Sequence, residues 1–259
     1  MQLWTKELID CYWSQGYACI PGLIPEDKLI KIEEAIDRLV LMEAARASLL
    51  GQYEQMDRLE RIHVGLLGLP EENRRVVVDK INQSEFCRRI FATPEIIELF
   101  KTFTRAKLPE DIGVSNFFVR VDLPGQDEES VRKFSLPWHQ DGGYYPRNSC
   151  PKTSLVMWFP LFDCNKEDGC LEACLKSHTD GPVHHDEYFI LPEEKKHWRV
   201  EVPNQITNTF EKGYAQCPRG SANLFHMSLI HRSGFNASDR IRYSFIIRAS
   251  NLLSPTYVI

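Results

Sequence analysis

No apolar run in this 259-residue chain approaches the ~20 residues that a membrane-spanning helix requires, so no membrane partner is expected. The opening Met1-Gln2-Leu3-Trp4-Thr5-Lys6-Glu7 lacks the basic, apolar and small-residue succession of a secretory leader, which predicts a cytoplasmic protein. Positive charge is also short. Against 36 Asp and Glu stand 31 Lys and Arg, a formal net charge of -5. Nucleic-acid binding over a broad face would need clustered basic residues, so that partner is not expected either. A few buried arginines holding a small anion remain compatible with the balance. Among the eight cysteines there is no CxxC pair; Cys170 and Cys174 come nearest, and a single CxxxC is too little for a zinc site. Free, mostly buried thiols are the simpler reading. The Asn236-Ala237-Ser238 sequon is inert in a protein that is never secreted. Repeats, low-complexity tracts and linkers are missing too, which predicts one domain over residues 1–259.

What is present suits a soluble globular chain: 43% hydrophobic and 11% aromatic residues, enough for a substantial core at this length. Residues 1–110 read mainly as helix. Leu3, Trp4, Leu8 and Tyr12 recur at helical spacing up to Gly16, and Tyr17-Ala18-Cys19-Ile20 reads as a short strand before Pro21-Gly22. Pro25 opens a second helix whose apolar face is Leu29, Ile32, Ile36 and Leu39. Thr93 sits as an N-cap, with Pro94 in the first turn and Glu95 beside the positive helix end. Residues 40–75 are charged and mixed, and read as helix plus a mobile surface loop. From about residue 113 the pattern changes to strands at 114–121, 154–162, 198–202, 222–226 and 241–249. Turns at Gly142-Gly143, Asp168-Gly169 and Arg219-Gly220 separate them. Helices first and short strands afterwards predict an α+β protein with a β-sandwich or barrel core.

The chemistry gathers in two segments. In Trp138-His139-Gln140-Asp141 an extended backbone puts His139 and Asp141 on one face, able to meet one ion. A third ligand must come from a distant segment, and Leu224 to Gly234 offers His231. Two histidines and one carboxylate form the facial triad of non-haem Fe(II) oxygenases, which leaves three positions for a bidentate co-substrate and O2. Alone, an HxD is also what a surface histidine beside a turn aspartate looks like. Arg242, eleven residues past His231, adds the weight. It shares strand parity with Ser244 and Ile246. An arginine buried there is costly unless an anion meets it. The far carboxylate of a metal-chelating dicarboxylate would do so in a bidentate fork. An exposed edge-strand arginine is the competing reading for Arg240 and Arg248. His226, five residues before His231, should point to the opposite face in a strand and pack or hydrogen-bond. His178 reads as a structural turn residue, and His63 and His197 as surface residues.

Four segments occur in order: Trp138-His139-Gln140-Asp141, Asp168-Gly169-Cys170-Leu171, Lys176-Ser177-His178, and His231-Arg232-Ser233-Gly234-Phe235-Asn236-Ala237-Ser238. With Arg242 they resemble the phytanoyl-CoA dioxygenase family of 2-oxoglutarate oxygenases. Gly16-Tyr17 to Pro21-Gly22-Leu23 resembles that family's N-terminal helix and strand, so the likeness spans nearly the whole chain. It implies a double-stranded β-helix (a cupin-like jelly roll) at 111–259, with helices from 1–110 packed around it. By the same resemblance His139, Asp141 and His231 are iron ligands, and Arg242 and Ser233 hold the distal carboxylate of 2-oxoglutarate. Asn116, Trp158, Gln140 and the upstream Lys80 are implied as further co-substrate contacts. The implied cofactors are Fe(II), 2-oxoglutarate and O2. The implied reaction is oxidation, chiefly hydroxylation, of a C–H bond in a small molecule, with release of succinate and CO2. Desaturation or oxidative cyclisation at the same centre, and a non-catalytic jelly-roll ligand-binding relative, are the alternatives.

Two departures and two gaps refine this. Gly220-Ser221 stands where the family has Gly-Asp, at a turn that ligates no metal. Asp141 is intact where halogenating relatives carry a small residue, which favours C–H oxidation over halogenation. No HExxH is present to supply a zinc hydrolase with its general base. Nor is there a basic stretch suited to coenzyme A phosphates, so an amino acid or natural-product intermediate is the expected substrate, in a monomer or homodimer. Tyr144, Tyr145 and Arg147 are candidates for the pocket entrance, His184 and His185 for the site mouth, and Asn116, Arg120, Trp198 and Arg248 for further substrate contacts.

Overall fold

The computed structural model describes residues 4–125, 135–144, 150, 152–190, 197–255 and 257. Helix α1 (Lys6–Gln15) starts where Thr5 Oγ1 accepts the Leu8 N–H and stops at Gly16, whose φ is 89°. Only glycine enters that left-handed stop freely, and a Cβ there would also lie 2.6 Å from the His178 ring. Strand β1 (Tyr17–Ile20) leads into α2 (Glu26–Arg46), which buries Leu29, Ile32, Ile36, Val40 and Ala44 along one stripe. Helix α3 is Glu71–Gln83. In α4 (Pro94–Thr104) Thr93 Oγ1 accepts the Ile96 N–H at 3.3 Å, as the sequence predicts.

The stretch after α2 differs from its sequence reading. Instead of a mobile loop it holds short helical pieces, Leu50–Tyr53 and Arg58–Glu60, then a π-helical turn, Arg61–Gly65, and Leu66–Gly68. Tyr53, Ile62 and Leu66 are buried, and the Tyr53 hydroxyl donates to Gly65 O at 2.6 Å. Pieces this short show no helical period in the sequence, because their order comes from the core beneath them.

The strands are β2 (Ile112–Asp122), β3 (Ser154–Pro160), β4 (Leu171–Cys174), β5 (Asp186–Ile190), β6 (His197–Glu201), β7 (Lys212–Ala215), β8 (Ala222–His226), β9 (His231–Arg232) and β10 (Arg242–Asn251). They form a five-stranded antiparallel sheet in the order β1-β8-β3-β10-β2, a three-stranded sheet β7-β4-β9, and a two-stranded ribbon β5-β6. This is the jelly-roll core, with helices packed on one side. Alternation along the large sheet divides its residues between two apolar layers. Leu155, Met157, Phe159, Phe245 and Ile247 face the helices. Val156, Trp158, Phe225 and Ile246 face inward, toward Leu171, Ala173 and Ala215 of the small sheet. Burying each such large side chain contributes ~1.5–3 kcal/mol. In β2, Ser115 pairs with Arg248 and Phe118 with Ile246, so a bulge opposite Ile247 absorbs one residue. Among the described residues no helix is long and apolar enough to cross a membrane.

Two histidines belong to this core. His63, read from the sequence as a surface residue, is only 8% exposed. The π-helical turn aims its ring at Phe162, with centroids 4.7 Å apart. His226 lies on the helix-facing side of β8, opposite to the inward Phe225, and stacks edge-on to His178 at 5.0 Å. Burial pushes both rings down to about 4, helped by the Arg240 charge for His63 and by His178 for His226. A depressed folded pKa means the unfolded chain takes up protons first as pH falls. The stabilisation is therefore full above pH 6.5 and is lost as pH drops toward 4. At pH 5 each ring is expected to cost about 2 kcal/mol. Urea midpoints of the wild type and of His63→Phe between pH 7 and 5 test this: the variant should lose part of the acid sensitivity, and an identical pH slope would refute it.

Candidate metal centre

Strand β9 is two residues long, yet it brings the distant ligand into place. His231 and His139 oppose each other as an antiparallel pair, each donating its N–H to the other's carbonyl at 2.9 Å. Residues paired this way project their side chains to one side, and the two imidazole centroids lie 4.4 Å apart. On its other edge β9 is held by β4, where Ala173 opposes His231. Asp141 begins a helical turn, Asp141–Tyr144, that Gly142 pins by donating to Met227 O at 3.0 Å. One ligand atom from each of His139, Asp141 and His231 lies within 4.8 Å of the others, and all three residues are buried.

The backbone sets which ring nitrogens would be free to hold an ion. A carbonyl only accepts, so His139 Nδ1–H donates to Pro137 O at 2.8 Å and His231 Nδ1–H to Leu229 O at 3.0 Å. Both Nε2 atoms are left as lone-pair donors. His231 Nε2 is 3.4 Å from Asp141 Oδ2, while Asp141 Oδ1 accepts from Arg248 Nε at 2.9 Å and also from Arg248 Nη2. Burial alone would raise the Asp141 carboxyl. The Arg248 guanidinium, followed by the two imidazoles, overcomes it and holds the group at about 2. Burial, then the neighbouring His231, pushes His139 down to about 3. An ionised carboxylate beside a neutral imidazole is the state that metal binding needs at neutral pH.

A cavity opens from these ligands between the two sheets. Arg242, 5% exposed at the start of β10, lines it together with Ser233, Trp158, Phe118 and Ile246. Arg242 Nη2 is 2.8 Å from Asp122 Oδ2, but Nε and Nη1 are buried without a partner, as is Ser244 Oγ on the same strand face. A buried unmet donor costs ~1–3 kcal/mol, so this end of the cavity is built for an acceptor. Asp122 also takes Arg120 Nη2 on Oδ1 at 2.9 Å. One carboxylate between two guanidinium groups leaves the end net positive, which suits a ligand carboxylate. Ser233 reaches the cavity because Gly234 follows it. A Cβ on Gly234 would lie 2.1 Å from Cys170 O, so the turn admits glycine alone.

The structure gathers His139, Asp141, His231, Arg242, Ser233 and Trp158 around one cavity, and separates two other candidates from it. Gln140 is buried, but its amide is used up bracing the metal loop. Nε2 donates to Gly181 O and Ser228 O at 2.8 and 2.7 Å, and Oε1 accepts the Val183 N–H at 3.0 Å. Lys80 lies on α3 with Nζ 3.1 Å from Glu43 Oε1, in the helical layer. The side chains of Asn116, His197 and Trp198, together with Tyr145 and Arg147, lie outside the described residues. The Tyr144 ring sits 5.4 Å from His139. His185 Nε2 accepts the Gln140 N–H at 3.1 Å, a brace at the mouth, whereas His184 is exposed beside Asp186. His178 donates through Nε2 to Trp13 O at 3.0 Å, a structural role. Arg240 is half exposed and paired with Asp168.

Arg248 is the residue that sequence reasoning undervalued. β10 is a central strand, between β3 and β2, so Arg248 is buried rather than on an edge. Its parity with Arg242 was the available signal. Asp122 was missed as well, although it alternates with Arg120 on the strand facing Arg242.

A family model described as phytanoyl-CoA dioxygenase (PhyH) matches residues 12–244. The chain belongs to the phytanoyl-CoA dioxygenase family. A phytanoyl-CoA dioxygenase of Arabidopsis thaliana is 22% identical over 261 residues, covering 93% of this chain and 87% of the relative. The peroxisomal phytanoyl-CoA dioxygenase of Bos taurus is 26% identical over 182 residues, 67% of this chain and 49% of the relative. Two solved structures share the fold. EvdO2 of Micromonospora carbonacea var. aurantiaca superposes with a TM-score of 0.61 at 16% identity, covering 96% of this chain and 91% of its own. The non-heme alpha ketoglutarate dependent epimerase SnoN from nogalamycin biosynthesis superposes at 0.59 and 17% identity, covering 95% and 82%. EvdO2 has been solved with 2-oxoglutarate, and SnoN with Fe3+, alpha ketoglutarate and nogalamycin RO. As a member of the phytanoyl-CoA dioxygenase family, this chain is an iron- and 2-oxoglutarate-dependent dioxygenase. Its two imidazoles, one carboxylate and unmet guanidinium donors fit both groups.

Proposed function

We propose that this dioxygenase hydroxylates a C–H bond of a small molecule, an amino acid or a natural-product intermediate. 2-Oxoglutarate is consumed as succinate and CO2. The observation that carries the reading is one cavity lined both by the three convergent, buried ligand residues and by Arg242 with its unmet donors. When bound, the iron activates O2 at the expense of 2-oxoglutarate; that chemistry is the cofactor's. His139, Asp141 and His231 hold the metal from one side. Arg242 and Ser233 hold the distal carboxylate, and Trp158 packs beside it. Gln140 and His185 keep the metal loop in shape, and Lys80 serves the helical layer through Glu43.

Asp141 occupies the ligand position that a halide would need, which supports C–H oxidation over halogenation. The cavity beside the three ligands must hold the co-substrate as well as the substrate. That favours a small substrate, or the small reacting end of a larger one. Phe118, Val156, Leu171 and Ile246 provide an apolar wall for the carbon that reacts. None of the eight cysteines forms a disulfide, which supports a reducing cytoplasmic setting.

The test is a panel of amino acids and small natural-product intermediates, given Fe(II) and 2-oxoglutarate in air, with succinate as the readout. Hydroxylation adds one oxygen to the product mass, whereas desaturation or cyclisation removes two hydrogens. Silence across the panel, together with stoichiometric tight zinc in anaerobically purified protein, would overturn the reading.

A further inference from the structure

We propose that Arg248 is a positioning residue that makes Asp141 a one-oxygen metal ligand. The inference rests on the metal-binding reading above and adds a requirement to it. Two guanidinium nitrogens of Arg248 converge on the same carboxylate oxygen, Oδ1, one of them Nε at 2.9 Å. The other oxygen, Oδ2, faces His231 Nε2 at 3.4 Å, where the ion would sit. The two oxygens of Asp141 therefore have separate tasks, and both residues are almost fully buried, so water does not compete for either.

Coordination arithmetic gives the contact its consequence. Carboxylates bind metals through one oxygen or both. With two imidazoles and one carboxylate oxygen, an octahedral ion keeps three open positions. A carboxylate free to rotate and chelate takes a fourth position and leaves two. Two positions suffice for a bidentate co-substrate or for O2, but not for both. Arg248 prevents this by holding Oδ1 away from the ion.

The support for Arg248 is itself rigid. It stands on central strand β10, opposite Val156 of β3 and Ser115 of β2. Its Cζ lies 5.6 Å from the Phe118 ring centroid. Arg242 lies on the same face of the same strand, six residues earlier. One strand thus carries both the grip on the co-substrate's far end and the brace on the metal's carboxylate. A change at Arg248 should be felt in co-substrate binding even though Arg242 is untouched.

The test uses Co(II), a metal with a visible spectrum sensitive to coordination number, added anaerobically to the full chain. Arg248→Met should bind Co(II) at least as well as wild type, because both Asp141 oxygens become available. Its visible spectrum should differ, and its 2-oxoglutarate affinity should fall at least tenfold. Arg248→Lys, which restores a cation near Oδ1, should recover most of that loss. A purely structural residue would change stability while leaving spectrum and affinity alone. Wild-type spectrum and affinity in Arg248→Met would overturn the proposal while leaving the functional reading intact. Wild-type protein that binds neither Co(II) nor Fe(II) would overturn both. Should Arg248→Met fail to fold, the crystal structure of Co(II)-loaded wild type decides. Oδ2 alone on the metal, with Oδ1 on Arg248, supports the proposal; both oxygens on the metal overturns it.

Discussion

Alanine at His139, Asp141 or His231 is expected to lower Fe(II)-dependent succinate release by ~10³-fold or more. Losing an outer-shell partner of a metal site typically costs 10–100-fold, and a direct ligand should exceed that. The three variants should differ in stability. His139→Ala and His231→Ala each lose one Nδ1–H bond to a backbone carbonyl, worth about 1 kcal/mol, so their melting temperatures should move little. Asp141→Ala leaves the Arg248 guanidinium buried without its carboxylate, a penalty of ~3–5 kcal/mol. Only that variant should be both inactive and markedly less stable. Succinate release and thermal melts on the same preparations read the two effects separately. Wild-type turnover in His139→Ala would show that the ion is held elsewhere.

Arg242→Met is expected to raise the 2-oxoglutarate requirement by ~10²-fold or more. Truncating one partner of a buried, hydrogen-bonded charge pair commonly costs 2–5 kcal/mol. Here the lost group would have met the co-substrate with Nε and Nη1, the two donors that have no protein partner. Metal affinity should be unaffected, since Arg242 touches none of the three ligands. Asp122 keeps Arg120 as a partner, which limits the damage to the fold. Steady-state KM for 2-oxoglutarate and Co(II) titration measure these independently. An unchanged KM would mean that another cation grips the distal carboxylate. Arg120, sharing Asp122 and lining the same cavity, is the one to replace next.

Local features of this chain could be read without coordinates. The stop at Gly16, the Thr93 cap and the apolar stripe of α2 each depend on residues within one or two turns. Strand parity was equally legible: Arg242, Ser244, Ile246 and Arg248 share a face, and His226 and Phe225 do not. The ligand types and their order, His139, Asp141 and His231 with Arg242 beyond, were also plain. Shorter pieces were not legible. β9 has two residues, too few for any periodic signal, and it exists because β4 and His139 pair with its two edges. The family resemblance implied Lys80 and Gln140 as co-substrate contacts, but a resemblance does not show which groups surround a side chain in this chain. Glu43 lies on α2, and the three groups that fix the Gln140 amide lie between Gly181 and Ser228.

By itself the sequence determined which atoms are available to the metal and to a dicarboxylate, because those are properties of residue type and strand parity. Tertiary structure decided how they are used. Closing residue 139 against residue 231 sets both imidazoles on one side with Nε2 inward. Placing β10 between β2 and β3 turns Arg248, readable from the sequence as an exposed edge residue or a substrate contact, into the group that holds Asp141 Oδ1. Parity tells which face a side chain takes, but whether that face is buried, and against what, depends on strands far away in the chain.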